Sequence, residues 1–422
     1  DELIVSPSTI NWDESEVVTV AHINETTAGP GAVDTHLTSA LVYGHTGLAN
    51  ATWLETHSHP FLAAEVALLR TPDQRVNNVV VEGMYEPGEL STQSFGAVTY
   101  IFQKTGSCPM AGNAIASAQA NISGALFQFC GQRGWGSRGC VQVGPQQQPA
   151  SVAGRSHHEF TPDTVSIVDT TIADGYNTGI QLDRVHGVSL EGNVIARVQR
   201  YGMRIEGQRN RVLRNLILHV ADSYGGSAQW GARWSSGSMT VMGLHHTGRD
   251  GNITGNVIGG SEGYAVFTDG YECGTTPTMS DNTAHSAKLG VWYEQRCPSC
   301  RMANIYGSAG EGTLGATTRS GYPIGGNTRG TCYELSDWKV HSTVYYGAHS
   351  GHINAGGDAD FPYWGTLASL RYVNFTMIDT GIAFSHAGEG PRSDFHDRSR
   401  PDLHWEVIGA TVLASNYRCR QV

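Results

Sequence analysis

Chemistry in this chain has to come from a few polar clusters, because only 15% of its 422 residues are charged. The first cluster is His157, His158 and Glu159 in Gly154-Arg155-Ser156-His157-His158-Glu159-Phe160. Two imidazoles beside a carboxylate can move protons, which makes these three the candidate catalytic residues, with a surface loop of ordinary polar contacts as the plain alternative. His245-His246 beside Asp250 is a second group, readable as metal ligands or as loop polar residues. The stretch with His386, Glu389, Arg392, Asp394, His396, Asp397 and Arg398 is a third. There Asp394, His396 and Asp397 are candidate ligands for calcium as a cofactor, or for a glycan, against a self-satisfied salt-bridge loop. Tyr224, Trp230 and Trp234 lie in a glycine-rich stretch where aromatic faces can stack on sugar rings or a protein partner, or pack beneath the loop.

Hydrolysis of a glycan needs two carboxyls about 5–10 Å apart, or an acid/base with a metal. No column of this chain's 22- to 27-residue repeat is expected to stack two acids on one face. Asp174 and Arg197 take equivalent places in consecutive repeats, as do Asp169 and Gly192.

Eight cysteines stand at Cys108, Cys130, Cys140, Cys273, Cys297, Cys300, Cys332 and Cys419. Their even number allows full pairing. Cys297-Pro-Ser-Cys300 can also be read as half a zinc knuckle or a redox pair. The former lacks a second ligand pair at a recognisable spacing, and the latter should open a helix. Asn-x-Ser/Thr acceptors occur at Asn24, Asn50, Asn121, Asn252 and Asn374. Cysteines and acceptors together point to an extracellular or cell-surface protein.

The elements that hold these groups are short strands. The 53 glycines are roughly twice the ~7% usual share. No long window carries an apolar stripe of helical period, so the chain reads as all-β. Val165-Ser166-Ile167-Val168-Asp169-Thr170-Thr171-Ile172 recurs 23 residues later as Val188-Ser189-Leu190-Glu191-Gly192-Asn193-Val194-Ile195. Further copies start near Arg211, Asn252 and Asp281. Repeats of about 22 to 27 residues with two or three strands each predict a right-handed parallel β-helix with three sheets. Asn193, Asn215, Asn256 and Asn282 are expected at corners, where Asn tolerates left-handed dihedrals, stacked as an amide ladder. Residues 1–75 are expected to form an N-terminal β-rich cap or first incomplete coils, and 76–422 the β-helix. The loops near 222–238, 306–330 and 386–402 are the expected seats of function.

Several segments resemble the fibrocystin and fibrocystin-L family. Ala64-Glu65-Val66-Ala67-Leu68-Leu69 followed by Asn78-Val79-Val80-Val81-Glu82-Gly83 is similar to a family signature between a small glycine-rich β domain and a parallel β-helix. Ile4-Val5-Ser6, Glu16-Val17-Val18-Thr19-Val20, Leu37-Thr38, Leu41, Tyr43 and His45 look like the strands before it. Asp281-Asn282-Thr283-Ala284-His285-Ser286 with Gly290 resembles one of the family's coils, and Ala410–Ser415 with Cys419 its closing strand and cysteine. The superfamily includes hyaluronidases related to cell-migration-inducing protein, whose Gly-Arg motif carries two histidines separated by one intervening residue. Here Gly154-Arg155 is followed instead by adjacent histidines and Glu159.

The formal charge of −11 argues against nucleic acid or an anionic membrane surface as partner. No apolar run reaches the ~18–20 residues of a membrane span. Opening at Asp1 without Met or a signal peptide, the chain reads as a processed or excised part of something larger. The resulting expectation is a noncatalytic module of a larger cell-surface, coat or filament protein, engaging itself, other extracellular proteins or glycans. A hyaluronidase-like or other polysaccharide-degrading enzyme is the alternative.

Overall fold

The computed structural model describes residues 1–25, 33–45, 64–70, 79–83, 96–103, 119–132, 138–145, 164–183, 185–207, 209–221, 241–247, 251–268, 271–272, 279–293, 332–351, 369–387 and 405–413. Every regular element among them is a strand. From Val79 onward the strands stack in parallel, coil upon coil, as a right-handed parallel β-helix, the hand that parallel crossovers almost always take; among these described strands the short Tyr271–Glu272 alone pairs antiparallel, with Cys332–Ser336. Ten coils can be followed, beginning at Val79, Gln119, Thr164, Ser189, Arg211, Asn252, Met279, Cys332, Ser369 and Trp405.

The solenoid has three faces. In the coil from Thr164 they are Thr164–Val168 (face A), Thr171–Gly175 (face B) and Ile180–Leu182 (face C). In later coils one long strand, such as Val257–Thr268, serves faces B and C together. The 23-residue shift is the true register, since Ser166 pairs with Ser189 and Ile172 with Ile195.

Alternation along each strand sends every second side chain inward. On face A the inward column runs Ile167, Leu190, Val212, Ile253, Met279, Leu335 and Tyr372, all buried. Glycine is needed where face C crowds face B: a Cβ on Gly243 would lie 2.2 Å from Ile258 Cγ2.

The corner between faces A and B is left-handed in nine coils. Gly124, Asp169, Gly192, Arg214, Gly255, Asp281, Asp337, Asn374 and Gly409 all have φ between 47° and 71°. The ladder asparagines are therefore not the left-handed residues expected. Each of Asn193, Asn215, Asn256 and Asn282 follows one, and turns its amide into the buried corner to satisfy backbone groups there.

The ladder itself is present. Nδ2 of Asn193, Asn215 and Asn256 each donates to Oδ1 of the next asparagine at 2.9 Å. One coil further on, Trp338 takes the position, and its Nε1 donates to the Met279 carbonyl at 3.0 Å. That bond repeats the one Asn282 Nδ2 makes to Ile253 at 2.9 Å.

The N-terminal strands pair differently. β1 (Glu2–Val5), β2 (Glu16–Glu25), β3 (Val33–Leu37) and β4 (Val66–Arg70) form an antiparallel sheet in the order β3-β2-β1-β4. This sheet lies along the flank of face B: Ile4, Ala67 and Leu69 pack on Ala196 and Leu218, in the middle of the stack. Among the described residues no helix is long and apolar enough to cross a membrane.

Candidate functional site

Face B carries the seam with the N-terminal sheet. Outward positions in successive coils are Ala196, Leu218, Gly259, His285 and His341. Where the apolar pair ends, His285 Nε2 meets Glu65 Oε2 at 3.0 Å, and Ser6 Oγ donates to the same oxygen at 2.5 Å. The His285 and His341 rings stack at 4.6 Å. Burial alone would raise the Glu65 carboxyl, but His285, Ser6 and the more distant His341 hold it down to about 2. Gly259 is required here, since a Cβ would come 2.4 Å from His285 Nε2. Behind the seam, Glu16 accepts from the amides of Val42 and Tyr43 at 2.7 Å each and contacts His45 Nε2 at 2.9 Å. Burial opposes the ionised form of Glu16, yet those partners lower its carboxyl below the ordinary value.

Face C offers an outward stripe of a different kind. Gln142, Gln181, Arg204, His245, Phe267, Trp292 and His349 follow one another in register. Beside them run Tyr201, Met242, Tyr264, Leu289 and Tyr346. His245 stacks on Phe267 at 5.1 Å, Tyr264 meets Trp292 edge-on at 5.0 Å, and Trp292 lies 4.4 Å from His349. Trp292 is 0% and Gln181 2% exposed, and among the described residues Trp292 Nε1 and Gln181 Oε1 have no hydrogen-bond partner.

Two acids do stack on one outward column of this face. Asp183 and Glu206 each follow the register pair Leu182↔Ile205, placing them in adjacent coils about 4.8 Å apart along the stack. A second pair, Asp281 and Asp337, follows Ser280↔Ser336 at the A–B corner. The reading that no column pairs acids is thus overturned. The shift of 23 already joined Asp183 to Glu206, whereas the insertion before Cys332 hid the second pair.

Each acid pair has a cation. Arg204 forms an ion pair with Glu206, and Lys339 Nζ lies 3.4 Å from Asp281. Burial opposes the charge of Arg204, but Glu206, Tyr201 and Asp183 raise its pKa. Asp174 and Arg197 form a two-pronged pair at 2.6 and 2.7 Å, as their equivalent places in the repeat allow.

His245 and His246 do not make a joint metal site, because neighbouring positions on a strand face opposite ways. His245 faces out into the stripe. His246 lies in the interior beside Thr268 at 3.3 Å, where burial lowers its pKa to about 3. Asp250 lies outside the described residues. Among those residues no group of three or more His, Cys, Asp or Glu could hold a metal.

His157, His158, Glu159, Tyr224, Trp230, Trp234, Asp394, His396 and Asp397 all lie outside the described residues. So do Cys108, Cys273, Cys297, Cys300, Cys419 and Asn50, and only the backbone of Cys332 is described. On either side of the segment with Tyr224, Trp230 and Trp234 the described chain ends at Ala221 and resumes at Val241, one residue before the register partner of Tyr201. Cys130 and Cys140 are joined in a disulfide.

Comparison with known proteins gives the fold a relative. The family described as right handed beta helix region matches residues 151–328. Fibrocystin of Canis lupus familiaris is 27% identical over 136 residues, 32% of this chain and 3% of that protein. Fibrocystin of Mus musculus is 26% identical over 141 residues, 33% of this chain and 3% of that protein. The β-helix region is fibrocystin-like. The chain spans only a small fraction of either fibrocystin. A solved periplasmic alginate epimerase is similar over 72% of this chain and 66% of its own, at 12% identity and a TM-score of 0.27. Segments that carry the fibrocystin resemblance in the sequence converge at the seam: Ser6, Glu65 and His285 are in direct contact there.

Proposed function

We propose that this chain is a noncatalytic extracellular interaction module of a larger cell-surface, coat or filament protein, engaging other proteins, itself or glycans. The observation that carries the reading is the stack of ten parallel coils, a rigid repeat whose sequence is fibrocystin-like. The Cys130–Cys140 disulfide and the likeness to fibrocystin support an oxidising, extracellular setting.

The test is incubation of purified protein with hyaluronan and a panel of acidic and neutral polysaccharides, with and without calcium, reading chain length by gel. Intact chains are expected, and retention of a polymer would identify a glycan partner. Shortened chains at stoichiometric protein overturn the reading.

A second reading, a polysaccharide-degrading enzyme, is favoured by one observation. Asp183 and Glu206 stand in adjacent coils, and retaining glycosidases act with a pair of carboxyls ~5–5.5 Å apart. It requires that Asp183→Asn and Glu206→Gln each abolish turnover in a folded protein. His158→Ala tests the alternative placement at His157, His158 and Glu159.

A further inference from the structure

Three of the five Asn-x-Ser/Thr acceptors stand on face A or at its edge. Asn121 and Asn252 occupy the same outward column, through the register Asn121↔Ser166↔Ser189↔Arg211↔Asn252. Four coils separate them, or about 19 Å at the ~4.8 Å coil spacing. Their neighbours Ile122 and Ile253 point inward, so strand alternation itself turns both amides outward. Asn121 is exposed and Asn252 half-buried. In the second acceptor the Thr254 hydroxyl reaches Asn252 Oδ1 at 2.6 Å. Asn374 is the exposed left-handed corner residue where face A ends, and its Nδ2 donates to Asp337 at 3.1 Å.

The other two faces are committed elsewhere. Face B takes the N-terminal sheet on Ala196 and Leu218. Face C presents buried Phe267 and Trp292 on its outward side. The column between Asn121 and Asn252 holds Ser166, Ser189 and Arg211, small or polar side chains, the first two half-buried and the third exposed.

We infer that face A is the glycan-bearing face, with N-linked oligosaccharides on Asn121, Asn252 and Asn374. In each case the side-chain nitrogen bonds to the anomeric carbon of a lipid-diphosphate-linked oligosaccharide and gives up one proton. The lipid diphosphate leaves with the bonding electron pair, and a secretory-pathway transferase acts as catalyst. Nothing is oxidised or reduced. Bulky, hydrated chains at both ends of one column shield face A from macromolecular contact. The inference rests on the extracellular reading.

The experiment is secretion of the full chain from a eukaryotic cell line, followed by enzymatic release of N-glycans in heavy-oxygen water and peptide mass spectrometry. Labelled aspartate is expected at 121, 252 and 374, and Asn121→Gln, Asn252→Gln and Asn374→Gln should each remove one glycan from the secreted protein. Secreted protein modified only at Asn24 or Asn50 overturns the face-A assignment and leaves the extracellular reading standing. A chain retained in the cell and unmodified at all five acceptors overturns the extracellular reading, and this inference with it.

Discussion

Asn215 both accepts and donates along the ladder. It accepts from the Asn193 backbone amide at 3.0 Å and from its side chain at 2.9 Å, and donates to Leu190 O at 3.1 Å and Asn256 Oδ1 at 2.9 Å. Asn215→Ala leaves buried polar groups on both neighbouring coils short of a partner, at a cost of about 1–3 kcal/mol per stranded group. A loss of at least about 3 kcal/mol is expected in urea denaturation. Ser166→Ala, on the outward side of face A, should change stability by no more than about 0.5 kcal/mol. Equal effects at the two sites would remove the ladder from the account of stability. The column itself was legible, because four asparagines recur at the same place in the repeat. Their conformation was not: corner tolerance suggested left-handed asparagines, whereas the buried backbone needed an amide directed inward and left the positive φ to the residue before.

Between elements, the contact that matters is the seam of β1 and β4 with face B. A carboxyl held at about 2, against an ordinary value of 4.5, binds fewer protons in the docked chain than in the unfolded one. Its contribution is therefore complete above about pH 4.5 and is lost as pH falls through about 2. At about 1.4 kcal/mol per pH unit, the loss is on the order of 3 kcal/mol. Limited proteolysis of the β1–β4 region across that window should show progressive acid release of the sheet. In Glu65→Gln this acid-dependent step should vanish, with weaker docking already at neutral pH. A pH profile identical in wild type and variant would exclude Glu65 as the group responsible. The strands near Ile4, Glu16 and Val66 were legible from their likeness to fibrocystin. Their docking beside Ala196, Leu218 and His285, rather than across an end of the stack, was not, because no periodicity relates an antiparallel sheet to the outside of a solenoid.

As a whole, the molecule is close to one-dimensional, each coil resting on its two neighbours. The coils from Ser189, Arg211 and Asn252 have partners on both sides, and the first two also back the N-terminal sheet. In the last described coil, Val412 continues the inward column of Met377 yet is 53% exposed. Hydrogen exchange should therefore be slowest in 189–220 and 252–268 and fastest in 405–413, graded by position in the stack. Uniform protection across all coils would instead mark a single cooperative unit.

The amino-acid order alone determined the local and repeating features. Glycine and short alternating strands set an all-β chain, and the 23-residue recurrence set which residues stack, because coils of equal length bring equivalent residues together. It even contained the Asp183–Glu206 pair, which needed only that same shift. The tertiary structure decided what period cannot encode. Long insertions broke the count, so that Asp337 follows Asp281 only once the coils are closed. Alternation then separated His245 from His246 onto opposite sides of one strand. The meeting of Ser6, Glu65 and His285 depended on the shape of two sheets packed face to face, through contacts too distant in sequence for any repeat to relate.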